Sequence, residues 1–251
     1  NSARQVLNIT NDAVAALAPD YAATALTVGI DTPSAQLQAH ALCASPLGIS
    51  AEIQYVTTGE RASLTLQVIG RHNVENALCA IGAAVLSGVT LAEACQALAG
   101  FTGVARRLQT IKNINNISVI DDFAHNPDKI KASLSCLNEF SGRLLVMFQM
   151  HGYGPFRLMR EELRDAFVAG LKSGDKLYMP DVLYMGGTVD KSYASQDFIA
   201  ECQRKGLSAM YAPTREEIGR MMAAEAQSGD RIVIMGARDD TLTDFAKSIL
   251  T

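Results

Sequence analysis

The sequence has no surplus of positive charge. Its 22 Lys and Arg stand against 26 Asp and Glu, a formal charge of −4. A nucleic-acid partner, which needs a basic face, is therefore not expected. No apolar run approaches the roughly 20 residues that cross a bilayer, and Asn1-Ser2-Ala3-Arg4 holds no apolar signal core. The five cysteines, Cys43, Cys79, Cys95, Cys136 and Cys202, are odd in number and form no C-x-x-C pair. Most lie in apolar periodic stretches, so buried free thiols in a reducing cytoplasm are the expectation. The four histidines are scattered and H-E-x-x-H is absent, which argues against zinc. The first residue is not Met, which suggests a processed or excised chain.

What is present is a globular composition: 251 residues, 48% apolar and 19% charged. That is enough for one large domain or two modest ones. Over the first hundred residues, short apolar or alternating runs at 6–9, 26–30, 36–42, 51–56 and 61–69 read as strands. Thr58-Gly59-Glu60 reads as a hairpin turn, and Asn11 as the cap of a short helix at 11–17. Strands with little helix between them suggest an antiparallel piece of sheet. Asn73 reads as the cap of a helix running to about Ser87, ended by Gly88. A second helix follows at 91–98. The small residues Ala77, Ala80, Gly82, Ala83 and Ala84 imply close packing against a neighbour.

Near Gly103 the pattern changes to alternating strand and helix, which divides the chain into 1–103 and 104–251. Strands are expected at 117–121, 144–148, 176–179, 208–211 and 231–235. Helices are expected at 127–140, 157–171, 192–205, 215–227 and 241–250. Five strands alternating with helices give an α/β fold with a doubly wound, mostly parallel, Rossmann-like sheet.

Ligands of such sheets bind beyond the carboxyl ends of the strands. Those ends carry Asp121-Asp122-Phe123-Ala124-His125-Asn126-Pro127, Gln149-Met150-His151-Gly152-Tyr153-Gly154, Asp181 with Gly186-Gly187-Thr188, and Gly236-Ala237-Arg238-Asp239-Asp240. Asp, Asn and Gly are common turn residues, and Asp239 and Asp240 read as helix caps. Two strand-end histidines are not explained by capping, so Asp122 and His125 read as functional.

Three motifs then point the same way. Gly70-Arg71-His72-Asn73-Val74-Glu75-Asn76-Ala77 resembles the G-x-H-N-x-x-N-A motif of the Mur ligases. Gly103-Val104-Ala105-Arg106-Arg107-Leu108 is similar to that family's G-x-x-R-R-hydrophobic domain junction. Asp121 to Pro127 resembles its D-D-Y-A-H-x-P signature. The resemblance implies that 1–103 is the last α/β portion of a central ATP-binding domain and 104–251 a Rossmann-like domain for the amine substrate. It implies an ATP-dependent, Mg2+-assisted ligase in which a carboxylate becomes an acyl phosphate and an amine attacks it. By similarity, Asn73 and Asn76 face adenine, His72 lies near the nucleotide or magnesium, Arg107 faces the triphosphate and Asp122 the ribose hydroxyls. His125, Asn126, His151 and Arg157 face the amine substrate, with Arg107 and His125 as the catalytic pair. No metal ligand is otherwise assigned. Arg106 reads as a solvated linker residue.

The pattern is most similar to UDP-N-acetylmuramate–alanine ligases and murein peptide ligases, cytoplasmic enzymes of peptidoglycan synthesis or recycling. UDP-N-acetylmuramate or its peptide, and an amino acid or peptide, would be the substrates. The His125-Asn126-Pro127 run is more like folylpolyglutamate synthase or cyanophycin synthetase. The family's G-x-x-G-K-[ST] loop is absent, so the missing N-terminal domains are expected elsewhere in the same polypeptide and this chain alone should be inactive. Rivals from other classes are an NAD(P)-binding dehydrogenase domain, which would need a G-x-G-x-x-G turn that is not found, and a non-catalytic nucleotide-binding module.

Overall fold

A computed structural model describes residues 4–184, 186 and 188–250. Asn1-Ser2-Ala3 and Gly187, both used in reading the sequence, lie outside the described residues. The chain forms two compact units, Asn1–Gly103 and Val104–Thr251.

The first unit is a five-stranded sheet in the order β1 (Gln5–Asn8), β2 (Ala25–Ile30), β3 (Leu37–Ser45), β4 (Gly48–Tyr55), β5 (Glu60–Leu66). The expected antiparallel pairing holds for β3–β4–β5 only. β1, β2 and β3 run parallel. Helix α1 (Asp12–Leu17), capped by the Asn11 side chain, and a 3-10 turn carry the chain back between β1 and β2. Parallel neighbours usually need a crossover of a dozen residues or more. Here 31–36 suffice between β2 and β3, because only Val28, Gly29 and Ile30 overlap their partners Leu37, Gln38 and Ala39.

Helices α2 (Arg71–Leu86) and α3 (Leu91–Leu98) cover this sheet. Val74, Leu78 and Ile81 of α2 repeat at helical spacing and join Val28, Leu37, Ile53 and Leu64 in the core. A Cβ added to Gly82 would lie 3.0 Å from Val6 Cγ1, so α2 approaches β1 as closely as its small residues suggest. Thr90 and Glu93 close a capping box on α3. The N-cap of α2 is Gly70, at φ 99°, and not Asn73. Asn73 is the third helical residue, and its Nδ2 donates to Ile69 O at 2.8 Å.

The second unit is a six-stranded sheet in the order β10-β9-β8-β11-β7-β6. It comprises β6 (Gln109–Ile114), β7 (Ile117–Asp122), β8 (Leu144–Gln149), β9 (Lys176–Met179), β10 (Ala209–Tyr211) and β11 (Arg231–Gly236). The five expected strands are parallel. The unexpected sixth, β6, is antiparallel to β7. Asn115 and Asn116 join the two at φ 52° and 63°, the doubly positive φ that suits a tight hairpin and that Asn tolerates.

Helices α7 (Arg215–Glu225) and α8 (Leu242–Ser248) cover one face, packing Ile218, Met222 and Phe245 on Val119, Met147 and Ile234. Helices α4 (Pro127–Leu137), α5 (Tyr153–Gly170) and α6 (Ser195–Arg204) pack against one another. On their side Phe148 meets Phe167, and Phe156 meets Phe198, with ring centroids 5.2 and 5.3 Å apart. Every residue of β7, β8 and β11 is buried.

At the amino ends of these strands Arg231, 1% exposed, donates to the carbonyls of Leu137, Phe140 and Gly142 and stacks on the Phe140 ring. A cation there satisfies the orphan carbonyls after α4. Replacing Arg231 with Met should lower the stability of this unit by about 2–4 kcal/mol, because three acceptors lose a charged donor. Hydrogen exchange at β7, β8 and β11 measures this, and unchanged protection would refute it.

Candidate functional site

β11 lies between β7 and β8, yet the chain leaves β11 into α8 on one face, and leaves β7 and β8 into α4 and α5 on the other. Diverging connections open a crevice at the carboxyl ends of these strands. Asp121 and Asp122 end β7, Gln149 ends β8 and Gly236 ends β11.

Asp121 is fully buried. Its Oδ2 accepts from Thr243 Oγ1 at 2.5 Å and lies 3.5 Å from Arg106 Nε. Asp122 is also buried. Its Oδ1 accepts from the Leu108 amide at 3.3 Å and its Oδ2 from Ser133 Oγ at 2.5 Å. Burial pushes the Asp122 carboxyl above its ordinary range, against the opposing pull of these hydrogen bonds. A carboxylate offers about four acceptor positions, so Asp122 keeps capacity beyond these two partners.

His125 is half-buried, and its Nδ1 meets Phe123 O at 2.8 Å. A carbonyl only accepts, so Nδ1 carries the proton and Nε2 is the acceptor of the neutral ring. The His151 ring lies 5.8 Å from it, centroid to centroid. His151 is 9% exposed. Backbone bonds of Met150 and Gly152 with Leu183 hold this segment beside β8. Burial drives the His151 pKa down, and the positive charges of Arg238 and His125 add to the effect.

Asn126 caps α4, its Oδ1 accepting from the Lys129 amide at 2.9 Å, with Pro127 in the first turn. Half of its amide is therefore committed to the helix. Arg157 is not the first residue of α5, as read from the sequence. The helix begins at Tyr153, after Gly152 at φ 77°. Arg157 pairs with Asp190, and Arg160 lies over the Tyr193 ring at 5.2 Å. Asp239 does more than cap. One oxygen accepts from the Thr241 amide, and the other from Gln149 Nε2 at 2.7 Å and Arg215 Nη1 at 3.0 Å. Asp240 is exposed.

The two adjacent arginines divide. Arg107 is exposed and makes no ion pair among the described residues. Arg106, expected to be solvated, is 8% exposed, with Nη2 donating to Gly236 O at 2.7 Å. That correction has a backbone cause: Arg106 sits at φ 59° and Leu108 at φ 45°, which turns 106 and 108 inward and 107 outward. Arg106, Ser133 and Thr243 are the site residues that sequence reasoning missed.

In the first unit, His72 and Asn76 are exposed on the opening turns of α2. Asn73 is half-buried, with its donor engaged as described. Asn8 Nδ2 donates to Glu75 Oε2 at 3.2 Å. Among the described residues, no group of three or more His, Cys, Asp or Glu side chains gathers to hold a metal ion, and no helix is long and apolar enough to cross a membrane.

The Mur ligase glutamate-ligase domain matches residues 106–238, and the Mur ligase middle domain matches residues 1–84. A UDP-N-acetylmuramate–L-alanine ligase from Pelotomaculum thermopropionicum is 30% identical over 221 residues, 87% of this chain and 47% of that protein. The chain thus spans about half the length of the curated relatives it matches. The solved UDP-N-acetylmuramate–alanine ligase from Thermotoga maritima aligns at TM-score 0.65 and 24% identity, over 90% of this chain and 47% of that one. A MurF ligase from Thermotoga maritima in complex with ADP aligns at TM-score 0.61 and 15% identity, over 97% and 52%. At these identities the two structures bear on the fold alone.

Arg238 is exposed, so removing it should leave the fold intact. Arg238→Ala should raise the His151 pKa, yet leave it below the ordinary 6.5, because burial is the larger cause. Imidazole titration by NMR reads this. A His151 that titrates normally before the substitution would contradict the buried placement.

Proposed function

The chain belongs to the Mur ligase family, and from that premise we propose that it supplies the carboxy-terminal part of an ATP-dependent ligase joining L-alanine to UDP-N-acetylmuramate. The observation that carries this reading is the meeting of His125 and His151 at the carboxyl ends of β7 and β8, in a unit whose first segment presents an exposed Arg107. The similarity to curated UDP-N-acetylmuramate–L-alanine ligases supports the substrate pair.

Each unit, taken by itself, carries groups that suit part of an adenine nucleotide. Asn76 is exposed and Asn73 keeps its acceptor oxygen, which suits the paired edge of adenine. Asp122 retains acceptor capacity for ribose hydroxyls. The guanidinium of Arg107 suits phosphate oxygens. The match of residues 1–84 to the Mur ligase middle domain supports this ligand class. Bound ATP would supply the phosphoryl group that converts the muramate carboxylate, a poor leaving-group centre, into an acyl phosphate. Magnesium prefers oxygen ligands and near-octahedral geometry. His72 offers a single imidazole, so the described residues do not make a magnesium site and no step is assigned to the ion through them.

Attack by the amine releases a proton as the amide forms and phosphate leaves. The tautomer of His125, fixed by Phe123 O, leaves Nε2 able to accept that proton. His151, whose pKa burial lowers, lies beside it, and Asn126 begins α4 just after β7, while Arg157 on α5 is paired with Asp190. Asn126 stands where the resembled ligases usually carry His. Its capping bond gives that substitution a local cause, since Asn is a good N-cap, and so no polyglutamate substrate is needed to explain it.

In the full-length protein, ADP formation should require both UDP-N-acetylmuramate and L-alanine, and Arg107→Ala should reduce it about 100-fold or more. The 251-residue chain alone, given ATP, magnesium and both acceptors, should release no phosphate. Robust turnover by the chain alone, or an indifferent Arg107→Ala, would refute the reading. Preference for a longer peptide or glutamate acceptor would move the protein to another branch of the family.

A further inference from the structure

We propose that Arg106 is a positioning residue of the ligation reaction, acting through Arg107. This rests on the reading above, in which Arg107 meets the phosphates. Three observations carry it.

The first is where Arg106 is anchored. Its guanidinium is buried against the ends of two strands: Nη2 donates to Gly236 O of β11 at 2.7 Å, and Nε lies 3.5 Å from Asp121 Oδ2 of β7. Its plane lies 5.1 Å from the centroid of the Phe123 ring. Asp121 is itself fixed by Thr243 on α8. The charged group thus joins β7, β11 and α8 at the crevice.

The second is the backbone. The Phe123 amide donates to Arg106 O at 2.6 Å, and the Arg106 amide donates to Gln109 Oε1 at 3.0 Å. Leu108 is buried, with its amide on Asp122 Oδ1. Residues 106 and 108 both hold positive φ, a conformation that L side chains keep only where surrounding contacts over-determine it. Those contacts here are the buried side chains of residues 106 and 108 themselves.

The third is that the guanidinium is not used to saturation. Nε and Nη1 of Arg106, and Oδ1 of Asp121, are buried without a hydrogen bond, and the two nitrogens have only long ion-pair contacts, to Asp121 at 3.5 Å and to the exposed Asp240 at 3.8 Å. A residue selected only to tie the fold would be better served by a fully paired network or by an apolar side chain. What the arrangement secures is exposure: with 106 and 108 held inward, Arg107 is left exposed between them.

The test is a double-mutant cycle in the full-length ligase, read as kcat and KM for each substrate. Arg106→Met should lower kcat about 10- to 100-fold with KM for the amine changed less than about 3-fold, as expected when a group made for the transition state is misaimed. The double variant Arg106→Met with Arg107→Ala should be no slower than Arg107→Ala alone, within about 3-fold. A purely structural role would add in full. If Arg106→Met does not fold, as judged by circular dichroism, Arg106→Lys takes its place in the same cycle. It keeps the charge, loses the planar fork, and should show a smaller loss with the same non-additivity. Additive losses, or an Arg106 variant with unchanged kcat, would overturn the positioning role while leaving the ligase reading in place. An Arg107→Ala enzyme with unchanged turnover would instead overturn the reading on which the proposal rests.

Discussion

The second unit depends on three parallel strands, β7, β11 and β8, buried on both faces along their whole length. Burial on both faces excludes polar side chains from the strand interiors unless they are fully paired. Charged groups therefore collect at the two ends. At the amino ends, Arg143 and Asp230 pair with each other and Arg231 satisfies the carbonyls around the end of α4. At the carboxyl ends stand Asp121, Asp122 and Gln149. Both ends answer the same electrostatic demand, but with different results. The amino end closes almost completely on itself. The carboxyl end leaves Arg107 exposed, His125 half-buried and several buried polar atoms unpaired. Buried polar atoms without a partner gather at the carboxyl end, where Arg106, Asp121 and His151 contribute them, against Arg231 Nε at the amino end, and that is where ligand chemistry is to be sought.

Much of this was legible in the sequence, and the failures are specific. A continuous apolar run marked β8 because burial on both faces writes itself as unbroken hydrophobicity. β6 was missed because its residues Gln109–Ile114 are only partly buried and mix polar with apolar side chains. It is an edge strand held by one hairpin. The parallel pairing of β2 and β3 was hidden because their connection is short, and only their small overlap permits it. The start of α5 was set too late because Gly152, Gly154 and Pro155 read as loop residues. Pro is tolerated in a first helical turn, and Gly152 supplies the positive φ before it. Asn73 reads as a cap on residue type alone. The chain instead turns at Gly70, three residues earlier.

The arginine pair shows a limit of another kind. Adjacent identical residues have the same composition, propensity and charge, so no sequence signal separates the buried one from the exposed one. The division is made by backbone handedness at residues 106 and 108. That handedness is maintained by contacts to strands that lie up to 130 residues away in the chain. The carboxylates carried a clearer trace. Asp121 and Asp122 end an apolar strand, and two adjacent acids at the exit of a buried strand must each find a partner. Which partner each finds, Arg106 and Thr243 for one, Leu108 and Ser133 for the other, is a property of the assembled unit.

Charge at the crevice also bears on the nucleophile. An amine attacks only when neutral, and nearby positive charge favours its neutral form. Arg238 lies close enough to His151 to help lower its pKa. Arg157, by contrast, is matched by Asp190, which spares the site a second uncompensated cation on that side. Under the proposed reading, the strand ends thus keep the buried His151 imidazole, whose pKa is lowered, beside the half-buried His125. Positive charge there works against an ammonium ion, and His125 Nε2 is left to receive the proton that the new amide releases. The same balance would be lost with a carboxylate in the place of His151. A buried anion there would hold the amine protonated and tie His125 up as its cation, and so the strand end of β8 carries an imidazole that burial keeps uncharged.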